Sequence, residues 1–379
     1  MRIDSTCCGI PARRLPRTRL LLAVALLVAM LPLPPLAGSV EMESLYTAEV
    51  QLSDPNDPRA RDEAYGRALQ QILVRITGSE QAALSRELNE LFPNPARYVL
   101  QFRPGDNNTL RVSMDGAAIE ALVSQTGFPV WDRDRPLTVV WLAVDWGQGE
   151  RELLGAGEAP STGLPAGEPG RDQQIQTLVR RTAEQRGVPV LLPELSEDDR
   201  AGINFSDVWG GFHDQLLEVS ERFGARAVLV GRLRPDVAER NRWTFYSGGQ
   251  QRQWSGEPDE VIHLLADTLA GQLSVAGNAP VETVALAVSG IASIAAYGEV
   301  QRVMDNISAI ERYRVESVAG DRISYQVAIN GGAERLAAAL DFSGQLLRVE
   351  NDFAGPPDLE GEPSLKYLYN DKGAGAPVQ

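Results

Sequence analysis

The alternation of apolar and polar residues predicts three folded segments, and the first covers residues 40–130. The strings TAEVQL and TLRVSM alternate with a period of two, as half-buried strands do. Between them, the apolar residues of 59–77 recur every three or four positions, which predicts a helix that Asp57 caps and Gly78 ends. A second helix is predicted from Ala117 to Gln125. The segment is therefore predicted to be a small α/β unit.

The second segment, residues 131–276, has a different pattern. PLTVVWLAV and RAVLVGRL are near-continuous apolar runs, typical of strands covered on both faces. A third strand, VPVLLPE, and two helical stripes lie between these runs, and the second stripe passes through Phe212 as one helix. Alternating strands and helices predict a mostly parallel sheet. Residues 147–170 are rich in glycine and proline, which predicts a loop or linker.

The third segment, residues 280–350, has the predicted order βαββαβ. Its central hairpin keeps a period of two, so one face of the hairpin is expected to be buried. This order is that of a ferredoxin-like sandwich. Residues 351–379 turn to proline, glycine and acidic residues and predict a disordered tail. The fold class expected for the chain is therefore α/β and α+β.

The first 39 residues have the composition of a secretory signal. Residues 13–19 supply four arginines before the apolar run Leu20–Leu31, and small residues follow the run, so cleavage is expected after Ser39 or after Ala37. The run is shorter than the roughly 20 residues that a membrane-spanning helix needs. The sequence therefore predicts a periplasmic protein without a retained transmembrane helix.

Composition excludes several functional classes. Cys7 and Cys8 lie before the apolar run, so the expected mature protein has no thiolate nucleophile and no disulfide. The formal net charge is −15, whereas a nucleic-acid-binding protein needs a concentrated basic surface. No nucleic-acid partner is predicted.

The middle segment also carries a family resemblance. The strings RGVPVLLPELSEDD and DVWGGFHDQLLEVSERFGARAVLVGRL, with the paired Trp243 and Trp254, resemble an exported proteobacterial family, the domain of unknown function 2066. The resemblance extends back through RDEAYGRALQQILVRITG and covers most of the expected mature chain. It implies export and a shared fold. The family has no established activity, so the resemblance assigns no role to any residue.

The usual catalytic motifs are missing from the sequence. Neither the phosphate-binding pattern GxxxxGK[ST] nor the hydrolase pattern GxSxG occurs. The two histidines, His213 and His263, lie in predicted helices, where an ordinary position on the helix flank is expected. No cofactor is predicted, and an enzyme is less favoured than a binding protein.

Carboxylates near the predicted sheet are the remaining chemical candidates. Asp145 ends the first middle strand and Glu194 follows the third, so both are expected at the carboxyl edge of a parallel sheet, where ligands bind. As acid and base they would need a separation of roughly 5–10 Å. With Asp198 and Asp199 they are also candidate oxygen ligands for Ca²⁺ or Mg²⁺. However, the SEDD string is equally typical of a solvated helix start, and no metal is predicted.

Two tryptophans near the same edge are candidate binding residues. Trp146 and Trp209 follow acidic positions, so partial exposure is expected, and aromatic faces stack on sugars or anchor protein partners. Packing within the fold is the alternative explanation for both.

These patterns favour an exported, non-catalytic binding or assembly module of the cell envelope, with an envelope protein or a glycan as its partner. The alternative hypothesis is a periplasmic protein that acts on a small ligand or a glycan through Asp145 and Glu194.

Overall fold

The structure is a computed structural model that describes residues 39–41, 43–131, 133–156, 170–225, 227–248, 250–276, 279–307, 309–349 and 365–370. The described residues belong to one compact unit. The predicted signal before residue 39 lies outside the described residues, as do most of the predicted tail and residues 157–169 of the predicted linker. The predicted mixture of α and β structure is confirmed.

The N-terminal part is a three-stranded sheet covered by a long helix. The helix begins where the Asp57 side chain accepts a hydrogen bond from the Arg59 amide, and it ends at Gly78, whose φ of 68° is left-handed. The sheet order is β2-β4-β3, and β3 was not predicted. The elements are β1 (Ser39–Glu41), β2 (Thr47–Gln51), α1 (Pro58–Thr77), α2 (Gln81–Leu84), α3 (Arg86–Leu91), β3 (Val99–Pro104), β4 (Thr109–Met114) and α4 (Gly116–Val123).

The middle part is built on one mixed sheet of order β12-β11-β10-β7-β8, with β9 also paired to β7. Of the pairings among these described strands, only β7 with β10 and β7 with β9 are parallel, so the prediction of a mostly parallel sheet was wrong. The elements are β5 (Pro129–Val130), β6 (Asp134–Pro136), β7 (Thr138–Gly147), β8 (Glu150–Leu154), α5 (Arg171–Arg186), β9 (Val190–Leu191), α6 (Glu197–Gly202), α7 (Phe205–Gly210), α8 (His213–Glu221), β10 (Ala227–Leu233), β11 (Arg242–Ser247), β12 (Gln250–Trp254), α9 (Pro258–Leu273) and β13 (Val275–Ala276).

After β7 and β8, the chain adds further strands on both sides of β7. It forms β9 on one side of β7 through α5, and then β10 on the other side through α6, α7 and α8. Helix α5 packs on one face of the sheet and α7 and α8 pack on the other. A reversal of this kind is where open α/β sheets bind ligands, outside the carboxyl ends of the strands.

Strand β8 corrects the predicted linker. Residues Glu150–Leu154 fold back on β7 and pair with it from Leu142 to Gly147. The linker prediction was therefore wrong for these residues, because a strand with an exposed, charged face has little apolar signal. Strand β9 is left with only Val190 and Leu191 in the ladder.

The predicted second helical stripe is broken in two. Gly211 has a left-handed φ of 75° and ends α7, so α8 starts in a new direction. Phe212 therefore lies outside the apolar stripe and is 59% exposed. The prediction of one continuous helix through Phe212 was wrong.

The C-terminal part has the predicted element order with one additional strand. Its sheet order is β15-β16-β14-β18-β17, where β18 is parallel to β14 and antiparallel to β17. The ferredoxin-like prediction is not confirmed, because β18 separates β14 from the strand that would complete such a sheet. The tail prediction was wrong for Leu365–Tyr369. The elements are β14 (Val281–Ser289), α10 (Ile294–Asp305), β15 (Ile310–Ala319), β16 (Arg322–Asn330), α11 (Gly332–Ser343), β17 (Leu346–Arg348) and β18 (Leu365–Tyr369).

Tyr367 anchors β18 to the helix above it. Its side chain is 1% exposed, and its hydroxyl donates to the Asp341 carboxylate at 2.7 Å and lies 3.1 Å from the Ala337 carbonyl. Burial raises the pKa of the Asp341 carboxyl, although the Tyr367 hydrogen bond and the charge of Arg348 act in the opposite direction. The charged form of Asp341 is therefore disfavoured in the folded state.

Asp341 gives the fold a testable pH dependence. A raised pKa in the folded state contributes stability at pH values below the pKa of the unfolded chain, and that contribution is lost as the pH rises through the raised pKa. The Asp341→Asn variant lacks this titration. We expect the free energy of unfolding of this variant to increase relative to that of the wild type as the pH rises from about 3 to about 7. Urea denaturation across the range measures the difference, and a difference independent of pH would contradict the prediction.

Buried arginines connect the N-terminal and middle parts. Arg186, at the end of α5, is 1% exposed and donates to the Gly78 carbonyl at 2.9 Å and to Asp267 at 2.5 Å. Arg135 is fully buried, lies 4.0 Å from the ring centre of Trp131 and donates to the Arg75 carbonyl. These contacts join α1, α5 and α9 in one core. None of the helices in the described ranges is long and apolar enough to cross a membrane.

Candidate functional site

A row of three charged side chains crosses the carboxyl edge of the middle sheet. Asp145 lies near the end of β7, Arg151 lies directly opposite it on β8, and Arg234 follows the last residue of β10. The register places Val144 beside Leu233, so Asp145 and Arg234 are next to each other. Side chains at matching positions of paired strands share a face, and this explains why the three meet.

The row is held by two ion pairs that share one carboxylate. The Nε atoms of Arg151 and Arg234 each lie 3.8 Å from the Asp145 Oδ2 atom. The other Asp145 oxygen accepts a hydrogen bond from the Gly147 amide at 3.2 Å. The Asp145 side chain is 16% exposed, while those of Arg151 and Arg234 are 59% and 43% exposed. The carboxylate is thus enclosed and the two guanidinium groups face solvent.

Two aromatic rings of α7 pack beside the arginines. Phe205 and Trp209 are one helical turn apart and stack with ring centres 5.2 Å apart and planes 19° from parallel. The Arg151 guanidinium lies 5.9 Å from the centre of the Phe205 ring, and that of Arg234 lies 5.1 Å from the centre of the Trp209 ring. Both distances allow cation–π attraction. We call these five residues the arginine–aromatic cluster: Asp145, Arg151, Phe205, Trp209 and Arg234.

The chemistry of the cluster suits binding. Apart from Asp145 and the aromatic rings, neither the Arg151 nor the Arg234 guanidinium has a polar partner among the described residues. Each can therefore offer several N–H donors to a carboxylate or another anionic group. The cluster contributes one carboxylate and two guanidinium groups, so it is locally cationic in a chain of net charge −15. It has neither a nucleophile nor a pair of carboxylates for acid–base chemistry.

Trp146 lies on the opposite face of the sheet from the cluster. Although the β7–β8 ladder is irregular between Asp145 and Gly147, Trp146 packs against the same core as Val144, while Ala143 belongs to the core on the other face, so Trp146 points away from Asp145. It packs beside the core that includes α5, while Trp209 packs beside the core that includes α7. Arg171 stacks over Trp146 at 4.3 Å. The two predicted binding tryptophans are thus half-buried, each next to an arginine, and do not form one surface.

Asp145 and Glu194 are not brought together. Strand β8 occupies the edge of β7 beside Asp145, so Glu194 is displaced toward the far end of β8. The Pro193 carbonyl, next to Glu194, accepts a hydrogen bond from the Ala156 amide, whereas Asp145 lies opposite Arg151. Arg151 and Ala156 are separated along the chain by about 16 Å of extended backbone. Glu194 is exposed, and the geometry gives no support to an acid–base pair.

The candidate metal ligands are also dispersed. Asp199 is buried in the capping box of α6, where it accepts from the Ser196 amide and forms an ion pair with Arg222. Asp198 is exposed at the same helix start. Within the described part of the chain, no group of three or more histidine, cysteine, aspartate or glutamate side chains could hold a metal ion. The SEDD string forms the start of a helix.

The two histidines differ in their surroundings. His213 stacks on Tyr246 with ring centres 6.0 Å apart and lies near Asp214. His263 contacts the buried Arg186 and lies 3.1 Å from Glu80. Neither histidine belongs to the arginine–aromatic cluster.

Sequence analysis identified Asp145 and Trp209 and missed Arg151, Phe205 and Arg234. Arg234 directly follows an apolar run that was identified as a strand, so its place at the carboxyl edge could have been found. Arg151 could not, because its position depends on the register of β8 with β7.

Comparison with known proteins gives one match. Residues 39–132 match a family model described as "Domain of unknown function (DUF8605)". That description differs from the domain of unknown function 2066, and the predicted resemblance to the latter is not confirmed. No curated protein and no solved structure matches the chain.

Proposed function

We propose that this chain is an exported, non-catalytic binding module of the cell envelope that holds a protein partner through the arginine–aromatic cluster. The observation that carries the proposal is the row Arg151–Asp145–Arg234 beside two stacked aromatic rings. Arginine and tryptophan are the residue types that dominate the binding energy of protein interfaces. The cluster also lies at the sheet edge where α/β proteins bind ligands.

The geometry favours a protein partner over a glycan. A sugar stacks on an open aromatic face, but the Trp209 ring already contacts Phe205 and Arg234. The accessible groups are two guanidinium forks, which bind carboxylates in pairs of hydrogen bonds. Phe212, three residues after Trp209 in the chain, is 59% exposed just before α8 and offers a further apolar ring to a partner. The expected partner surface carries an acidic side chain next to an apolar one.

Export belongs to the same proposal. The arginines and the apolar run before residue 39 have the order of a secretory signal. The region matched by the family model starts at residue 39, next to the expected cleavage point, which supports a division between signal and mature protein. A periplasmic location and a partner in the envelope follow from this proposal.

Site-specific crosslinking in cells tests the role of the cluster. A photoreactive residue at position 212 should capture a defined envelope protein. The double variant Arg151→Gln/Arg234→Gln should reduce capture about tenfold or more, because two charge-assisted contacts are lost. The matched control is Arg171→Gln, which removes an exposed arginine stacked on Trp146 at the opposite face. Fractionation of the same cells shows whether the captured complex is periplasmic.

The double variant and the Arg171→Gln control together distinguish support for the proposal from its contradiction. Loss of capture in the double variant together with normal capture in Arg171→Gln supports the proposal. Equal capture in both variants would show that the cluster is not the binding surface, and absence of any captured protein would overturn the binding-module proposal. Thermal unfolding of each variant must match the wild type for the comparison to hold.

A further inference from the structure

A cleft separates the C-terminal helix α11 from the hairpin formed by β11 and β12. Its volume is about 310 Å³, at the lower end of the range of roughly 300–1,000 Å³ for small-molecule sites. Its walls come from both the middle and the C-terminal parts, and pockets are frequent at such boundaries. None of the residues that line the cleft belongs to the arginine–aromatic cluster.

The cleft has an apolar side made by two aromatic rings. Phe245 is 3% exposed in β11, and Phe342 packs against the core of the middle part from α11. Ala337 and Ala338 line the helix side between them. The small side chains of these alanines leave the space that forms the cleft.

Of the four charged side chains that line the cleft, two have a polar partner among the described residues and two do not. Asp341 accepts a hydrogen bond from Tyr367 and lies 3.9 Å from Arg348, so these groups already have partners. Arg252, on β12, and Glu334, on α11, are exposed, and neither side chain has an ion pair or hydrogen bond to another described residue. The two are therefore an available cation and an available anion on opposite walls.

Uncharged hydrogen-bonding groups lie between these walls. Gln250 extends from β12 and Gln272 from α9, and both line the cleft. Their side-chain amides have no hydrogen bond to any described residue, while the backbone carbonyl of Gln272 accepts from Arg335 at 3.1 Å and fixes α11 against α9. Each amide can donate and accept. The arrangement offers complementary partners to a ligand with a peptide group or a polar backbone.

We propose that this cleft binds a small zwitterion of the amino-acid or short-peptide class, with the ligand carboxylate at Arg252 and its ammonium group at Glu334. A simple anion would pair only with Arg252, and a simple cation would pair only with Glu334. A zwitterion satisfies both, and its apolar side chain can contact Phe245 and Phe342. The volume limits the ligand to about the size of a dipeptide.

Calorimetric titration of the purified chain tests the proposal with defined probes. L-Leucine and L-leucyl-L-leucine carry both charges at different separations, and N-acetyl-L-leucine amide carries neither. We expect at least one zwitterionic probe to bind at millimolar concentrations or below, and the neutral probe to bind at least about tenfold more weakly. The difference in affinity between L-leucine and L-leucyl-L-leucine then indicates which separation of the two ligand charges fits Arg252 and Glu334.

Two substitutions assign the charges. Arg252→Gln and Glu334→Gln should each weaken binding of the zwitterionic probe about tenfold or more, as expected for loss of a charge-assisted hydrogen bond. The control Arg314→Gln changes an exposed arginine on β15, outside the cleft, and should bind as the wild type does. Wild-type affinity in both cleft variants, equal binding of the neutral probe, or absence of binding by both zwitterions would overturn the proposal. The Arg151→Gln/Arg234→Gln variant should keep this binding, so the result does not depend on the proposed protein partner.

Discussion

Replacing Arg186 with methionine is expected to lower the free energy of unfolding by about 3 kcal/mol, because charged hydrogen bonds to buried partners are lost. Methionine keeps most of the side-chain length but cannot donate. The Gly78 carbonyl, at the end of α1, and the His263 ring on α9 would both lose the Arg186 guanidinium. Urea denaturation measures the change in stability.

The control for Arg186 is its exposed partner. Asp267 is 61% exposed, so Asp267→Asn is expected to change the free energy of unfolding by less than about 1 kcal/mol. Hydrogen exchange in Arg186→Met should show faster exchange at the end of α1 than in α10, which does not contact Arg186. Equal stability losses in the two variants would mean that the carboxylate, and not the backbone carbonyl, accounts for the contribution of Arg186.

Replacing Tyr367 with alanine is expected to lower the free energy of unfolding of the C-terminal part by about 3–5 kcal/mol. Tyr367 is 1% exposed in the middle of β18 and also donates a hydrogen bond to Asp341. Its neighbour Leu368 points to the other face and is 43% exposed. Leu368→Ala should therefore change stability by less than about 1.5 kcal/mol, since most of its surface is already in water.

The comparison of these neighbouring variants tests whether β18 belongs to the sheet. Urea denaturation followed by the fluorescence of the middle tryptophans and by total helix content separates loss of the C-terminal part from loss of the whole fold. Small and equal effects at positions 367 and 368 would show that β18 does not pair with β14 in solution.

The elements that the sequence predicts well are those with a strong local signal. Helix α1 has an apolar stripe, a capping aspartate and a terminal glycine, and the structure places its ends within a residue of the prediction. Strand β7 has seven consecutive residues, Thr138–Val144, with no exposed surface. Such elements can be identified because nearly every residue contributes to the same pattern.

The missed elements depend on distant partners. Strand β8 exposes much of its surface and β18 follows a stretch of proline, glycine and acidic residues, so neither has a local pattern typical of a central strand. The same reason applies to the candidate site. Asp145 was predicted from the end of an apolar run and lies near the end of β7, but its pairing with Arg151 and its separation from Glu194 both depend on β8.

The place of β18 also affects the order in which the chain can fold. Leu286 pairs with Leu365, so the C-terminal sheet is completed only after the segment that contains Leu365 is available. Contacts between residues so far apart in sequence slow folding, because a long loop must close before they form. During that interval one edge of β14 has no neighbour and can pair with a strand of another molecule. For a chain that emerges from its N-terminus, this is the last of the described sheets to close, and the edge of β14 stays open until it does.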